Sequence, residues 1–498
     1  MIIGAMFRVR SCAHAIVVFG AMFTSACGAP ESAPPPAAGQ PAASAARLIS
    51  YDEVRTLIAN SAVEPPAELA AAGDPAGAWR QWTERHRADV DARLRRGDED
   101  SIVNLMLFGT TFTTARRPAP AELPAPGRAW RPNEILERRL EDLASALLNP
   151  GPNERLQFAR QVLERRGVSL SGPGGGQAAR AALAAIRDRT FEEGEKYRAR
   201  LAEADQSGRE SEKLKGYATA YFDRGLSTDT SIRVDFALER VLEALRSRGT
   251  FTAGSVRRVA VVGPGLDFAD KADGHDFYPQ QTLQPLALID ALLRLELSRA
   301  DDLKLVAFDV SPRVIHHLER ARERASANAG YVVHLPLESG TAAREWNPEL
   351  VAYWRRFGDQ VGKDVTPLSP PAAEAKMNIR AVEIGPQSVL DVVPQQLDIV
   401  VERLENLPPL EQFDVVVATN VLLYYGAFEQ ALAMANVAAM LKPGGMLIAN
   451  HALTPPAPFR TSPYMTLPVP FERQRVDGAA PRYSGDSFYC YVQVRSKK

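Results

Sequence analysis

From residue 256 onward, short apolar runs alternate with amphipathic stretches. Residues 259–262, 305–308 and 413–418 are apolar at nearly every position, as strands buried on both faces should be. Residues 397–401 and 446–449 repeat the pattern more weakly. Helical spacing lies between them. Residues 284–297 predict a helix capped by Thr282, and Ser311-Pro312 opens another with a capping residue and a first-turn proline. Residues 428–441 predict a third, with apolar positions at 428, 432, 435, 439 and 440. Phe488, Cys490, Val492 and Val494 alternate with other residues and predict a closing antiparallel strand over 483–494. The succession implies an α/β fold, a Rossmann-like, mostly parallel sheet with helices on both faces.

The preceding part reads differently. Residues 51–60, 78–96, 133–148, 153–166, 177–204 and 234–248 carry helical spacing with many Glu/Arg pairs, separated by Pro- and Gly-rich breaks at 117–132, 149–152 and 171–176. A separate, mainly α-helical domain over 47–248, ahead of an α/β domain over 249–498, is the expectation. Ser171-Gly-Pro-Gly-Gly-Gly176 is a turn, since no strand precedes it and no Gly-Lys-Ser/Thr closes it.

The first residues build no core. Arg8 and Arg10 precede an apolar stretch, 13–23, that is broken only by His14 and is short for a bilayer span. Thr24-Ser-Ala-Cys27 follows, and then an Ala/Pro/Ser-rich run over 28–46 with the composition of a tether. This resembles a bacterial lipoprotein signal over 1–27, with Cys27 lipidated, although an aliphatic residue is usual where Thr24 stands. Gly28 after the cysteine resembles outer-membrane cargo. The resemblance implies a lipid-anchored envelope protein on the periplasmic face of an outer membrane; if the signal is misread, the location is cytoplasmic.

Composition narrows the classes. The 498 residues have room for two or three domains, and a net charge of −1 without a basic run speaks against a nucleic-acid binder. Of three cysteines, Cys12, Cys27 and Cys490, only the last lies in the folded part, which excludes an intrachain disulfide after processing and a cysteine metal cluster.

The candidate chemistry sits at two strand ends. Gly263 and Gly265 follow the first apolar run, where missing side chains let a ligand approach the backbone. Asp309 ends the second run, where an acid accepts hydrogen bonds from a ribose diol. The competing readings are a tight turn without a ligand, and a helix cap shared with Ser311. The polar, aromatic segment 267–281, with Asp270, Lys271, Asp273, His275, Asp276, Tyr278 and Gln280, is either a lid or a solvated insertion. Its acids match no hard-cation loop, so no metal is assigned. His316 and His317 read as structural.

Residues 256–498 resemble the class I S-adenosylmethionine (SAM)-dependent methyltransferases. Val262-Gly-Pro-Gly265 looks like the family's glycine loop and Asp309 like its ribose acid. Residues 413–425 look like the strand-four segment that faces the reacting methyl, and Leu441-Lys-Pro-Gly-Gly-Met-Leu447 like the turn before strand five. Asn420-Val-Leu-Leu-Tyr-Tyr425 is also similar to chemotaxis-receptor glutamate methyltransferases, which likewise place a helical domain first. The resemblance implies SAM as cofactor. It implies cofactor contacts from Gly263, Gly265, Asp309, Arg403, Leu404 and Thr419, and a methyl site lined by Asn420 and Tyr424. The acceptor would be an oxygen nucleophile on a small molecule or a protein, a carboxylate among the candidates.

Departures are visible. Val261 stands where the family has an acid for the methionine amino group, and Phe268 stands where a third glycine is usual. Arg403 falls where an adenine-contacting Asp is common. Gly265 and Asp309 lie farther apart than the usual spacing of about 20 residues, as an insertion near 268–281 would explain; a second insertion covers 331–393. Two other readings stay open: a non-catalytic envelope scaffold that reuses the fold, since SAM is made in the cytoplasm, and an NAD-dependent oxidoreductase, disfavoured by Phe268 and by the 442–445 turn.

Overall fold

The computed structural model describes residues 45–59, 63–123, 133–206, 224–266, 275–337, 344–371, 377–456, 459–474 and 482–494. The expected signal and most of the tether lie outside them, as does 267–274. Strand β1 (Ala46–Leu48) leads into helices α1 (Tyr51–Ala59), α2 (Ala67–Ala70) and α3 (Pro75–Phe108). Asp74 starts α3 by accepting from the Gly77 N–H, with Pro75 in its first turn. The helix runs beyond the expected 78–96, because Ile102, Val103, Met106 and Leu107 pack into a core shared with α4 (Glu134–Leu148), α5 (Glu154–Arg165) and α6 (Gly175–Gln206). Asn133 and Asn153 cap α4 and α5 through their side chains. Helix α7 (Ile232–Ser247) then leads to the sheet.

The sheet begins with β2 (Arg258–Val262), α8 (Gln284–Arg294), β3 (Lys304–Asp309) and α9 (Pro312–Ser326). The insertion after α9 holds β4 (Tyr331–Leu337), β5 (Arg344–Trp346), α10 (Pro348–Arg356), β6 (Gly362–Val365), β7 (Asn378–Ile384) and α11 (Pro386–Leu390). Then come β8 (Val392–Gln396), β9 (Glu402–Leu404), β10 (Phe413–Ala418), α12 (Ala427–Met440), β11 (Leu441–Ala449), β12 (Phe459–Gln474) and β13 (Arg482–Gln493).

The main sheet has the order β5-β12-β13-β11-β10-β2-β3-β8. Strands β11, β10, β2, β3 and β8 are parallel neighbours, while β13 runs antiparallel to β11, as the alternation at 488–494 predicts. Order reverses at β2: the chain moves to β3 and β8 on one side, and to β10 and β11 on the other. A crevice therefore opens at the carboxyl ends of β2 and β10, the general place for ligands in such sheets. Alternate residues of β2 face opposite cores. Val259 and Val261 pack towards α7 and α8, Ala260 and Val262 towards α12. Burial on both faces is why this strand is apolar throughout. The architecture is the α/β, mostly parallel class expected for a class I methyltransferase, with a helical region ahead of it. Residues 44–498 form one compact unit.

Three expectations change. The third strand is β8, not 397–401. Leu397, Ile399, Val400 and Val401 are buried in a turn, and Asn436 of α12 donates to the Ile399 and Val400 carbonyls at 2.9 and 3.0 Å. Pro394 and two glutamines disguised the real strand, which tolerates a proline at the sheet edge. Thr282 does not cap α8; Leu283 holds that position, and the Thr282 hydroxyl donates to the Pro264 carbonyl. Ser311 makes no side-chain cap; its N–H donates to Asp309. The 331–393 insertion carries its own antiparallel sheet, β4-β7-β6, and lends β5 to the edge of the main one.

Candidate cofactor site

Strand β2 ends in a turn that only glycine suits. Gly263 and Gly265 have φ of 68° and 78°, where a side chain is strained. Space is closed to one as well. A Cβ on Gly263 would lie 2.5 Å from the Val421 side chain, and one on Gly265 would lie 2.9 Å from the Asp229 carbonyl oxygen. The loop is held by the Gly263 N–H, which donates to the Phe308 carbonyl at 2.8 Å, and by the Leu266 N–H, which donates to Thr228.

A cavity of about 460 Å³ opens over this turn. Gly263, Gly265, Asp309, Thr419, Asn420 and Tyr424 all line it, so six of the eight residues named from the sequence converge. Asp309 is buried at the end of β3, and burial pushes its carboxyl up to about 7 against the pull of the Ser311 N–H at 2.7 Å. A ligand diol donating to this acid would supply what favours its charged form. Thr419 accepts from Gln284 at 2.7 Å. Asn420 has φ of 57°, its N–H donates to Asn450 at 2.8 Å, and Asn450 returns a bond at 2.7 Å and reaches Asp486 at 3.3 Å. Burial raises the Asp486 carboxyl.

The other two named residues lie elsewhere. Arg403 sits in β9, paired with β1, and its guanidinium bonds Glu53. Leu404 is buried, and its N–H contacts the Met440 sulfur. Neither lines the cavity. Of the candidate lid, 267–274 lies outside the described residues. The part after it is docked: Asp276 accepts from the backbone and hydroxyls of Thr110 and Thr111, at 2.6–3.1 Å. His317 faces the Tyr331 hydroxyl at 2.8 Å, and His316 does not line the cavity.

Several lining residues escaped the sequence reading. Segment 226–234, with Asp229 and Arg233, comes from the chain ahead of the sheet; Phe471 and Ser484–Asp486 come from β12 and β13. Arg233 lies 4.8 Å from the Trp346 ring centroid. Polar Thr228-Asp-Thr-Ser231 directly before a helix is the weak signal that the sequence offers for this wall.

The glycine turn at the cavity and the acid beside it suit the nucleoside and amino-acid parts of SAM. Fold and site define an α/β domain with a nucleoside-type crevice. Residues 360–449 match a family model described as a methyltransferase domain. Over these residues the chain thus matches a methyltransferase domain. The matched residues run from before β6 to the end of β11 and include Thr419, Asn420 and Tyr424, but not the glycine turn or Asp309. No curated protein matches the chain.

Among solved structures, the chain is similar to TrmN from Thermus thermophilus at 11% identity and a TM-score of 0.24, over 52% of this chain and 49% of that one. This chain therefore spans about half of TrmN. It is similar to magnesium protoporphyrin IX methyltransferase from Synechocystis PCC 6803 with bound SAM, at 10% identity and a TM-score of 0.23, over 59% and 90% of the two chains. It is also similar to an O-methyltransferase family protein from Burkholderia thailandensis, at 12% and 0.22, over 73% and 94%.

Proposed function

We propose that this protein transfers the methyl group of SAM to an oxygen nucleophile, a carboxylate being the favoured acceptor. The observation that carries the reading is the convergence of the glycine turn, Asp309 and the 419–424 segment on one cavity. Bound SAM supplies a methyl on a sulfonium, already a strong electrophile. The protein's own residues then have three tasks: to hold the nucleoside, align the acceptor and keep water out. Gly263 and Gly265 admit the cofactor to the backbone, Asp309 accepts from the ribose, and Asn420 and Tyr424 line the transfer site.

Among the described lining residues there is no histidine, lysine or cysteine; the ionisable acids are Asp229, Asp309 and Asp486, and the cation is Arg233. A carboxylate acceptor, ionised at neutral pH, needs none of these acids as a base. Arg233 is the group that would hold it. The similarity of 420–425 to glutamate methyltransferases points the same way.

Calorimetric titration of the full chain with SAM and S-adenosylhomocysteine tests the reading. Micromolar binding, lost in Asp309→Ala, is expected. A folded protein that takes up neither ligand would overturn it.

The second part of the proposal concerns location. The residues around Cys27 support export and lipid anchoring at the envelope, where SAM would have to be delivered. Fractionation of cells carrying the wild type and Cys27→Ala tests this. Wild-type protein found wholly in the soluble fraction would sink it.

A further inference from the structure

Two walls of the cavity come from loops rather than from the sheet: segment 226–231, lying on Gly265, and Leu422–Tyr425, following β10. Both are attached to one residue of α3. Arg93 is 3% exposed. Its Nη2 donates to the Tyr424 carbonyl at 2.7 Å and its Nε to the Arg224 carbonyl at 3.2 Å. Its own carbonyl accepts from the Leu226 N–H at 2.9 Å. The guanidinium carbon lies 5.9 and 5.6 Å from the Tyr424 and Tyr425 ring centroids. One turn later, Gly97 lets the same segment cross: a Cβ there would collide with the Leu226 carbonyl oxygen.

A buried cation is costly unless its hydrogen bonds are met. Here the nearest acid, Asp89, is 3.7 Å away and more than half exposed, so backbone carbonyls and aromatic faces carry much of the burden. A flat guanidinium donates along fixed directions and stacks on rings at once, which an ammonium cannot do. We propose that Arg93 is a positioning residue that sets both loop walls of the cavity together, so that α3 is part of the transfer site's frame. The consequence for the cofactor rests on the SAM reading; the positioning itself does not.

Hydrogen exchange of the full chain, without ligand, is the direct test. The N–H groups of Leu226, Leu266, Tyr424 and Tyr425 are all bonded within or against these loops and serve as reporters. In Arg93→Lys, which keeps the charge, exchange should rise about tenfold in both segments and stay unchanged in β2 and α12. Unchanged exchange, or a uniform rise across the chain, overturns the proposal.

SAM titration of the same samples adds the functional arm. Affinity should fall about tenfold in Arg93→Lys. In Arg93→Ala, added methylguanidinium should restore it, a rescue that a general loss of packing would not give. If the wild type takes up no SAM while the loops respond as expected, the cofactor reading fails and the positioning role stands. If Arg93→Lys binds SAM and exchanges like the wild type, the positioning role fails and the cofactor reading stands.

Discussion

Asp309 and His86 are both buried titratable groups close to the crevice, and their surroundings act on them in opposite ways. Burial raises the Asp309 carboxyl to about 7, with hydrogen bonding on its own side chain limited to backbone N–H groups. Burial also works against a charged His86 ring. There, hydrogen bonds to Asp398 at 3.0 Å and Glu429 at 3.1 Å outweigh it and raise the group to about 9. Stacking adds to the second site: the His86 ring lies on Trp82, which stacks on Trp79 and meets Phe428 edge-on. The cavity thus keeps bonding capacity in reserve for a ligand. The α3 side spends its capacity on holding two layers together, because Asp398 follows β8 and Glu429 opens α12.

The sharpest way to break the contrast is at the glycine turn. Gly263→Val should weaken SAM binding about 100-fold or more, since the side chain runs into Val421 and displaces that wall of the cavity, and should add a backbone cost of about 1–2 kcal/mol. Calorimetry and urea unfolding separate the two effects.

On the framework side, His86→Leu leaves Asp398 and Glu429 facing each other without the cation. A loss of about 3–5 kcal/mol is expected in denaturant unfolding at pH 6. The pH dependence has a definite sign. A histidine raised from about 6.5 contributes stability that is fully present below that value and disappears as pH climbs through about 9. Wild-type unfolding midpoints should therefore fall between pH 6 and 10, by more than those of the variant.

Asp309 should lose stability in the same direction, over a lower pH window. Its folded value exceeds the unfolded one, so its ionisation destabilises the fold increasingly as pH rises from about 4 towards 7. Asp309→Asn should lower SAM affinity about 10- to 100-fold. It should raise stability at pH 8 by at most about 4 kcal/mol, an advantage that vanishes at acid pH. Equal stability of variant and wild type at pH 8 would show that the acid is not held in the apolar state described.

The smallest effect belongs to the exterior. Glu53, held near 2 chiefly by Arg47, bonds also to Ser50 and Arg403 on the β1–β9 pair. Glu53→Gln should cost less than about 1 kcal/mol, because solvent screens the pair. SAM titration of that variant should match the wild type, which would separate Arg403 from the cofactor.

Where sequence and structure agree, the signal was local. The runs that became β2, β3 and β10 were legible because strands buried on both faces have no polar positions to spare. Gly263 and Gly265 were legible because positive φ is a property of a single residue, and Asp309 because it ends its strand. The helices expected from 133 and 153 begin where expected because Asn133 and Asn153 cap them with their own side chains.

What misled was composition read without neighbours. Residues 397–401 are as apolar as a strand, yet the turn they form is stable because Asn436, far along the chain, satisfies its carbonyls. Pro394 hid a real strand that sits where no second neighbour needs its N–H.

By itself, then, the sequence determined the α/β class, the glycine turn, the acid beside it and the strand-four segment, all features in which a residue's own conformation or burial decides its identity. Tertiary structure alone decided that Arg403 leaves the crevice for Glu53 and that segment 226–234 and the β12–β13 hairpin wall the cavity. It alone decided that Arg93 on α3 joins two of those walls. These depend on contacts between residues hundreds of positions apart, and nothing in the local pattern records which distant backbone a side chain will meet.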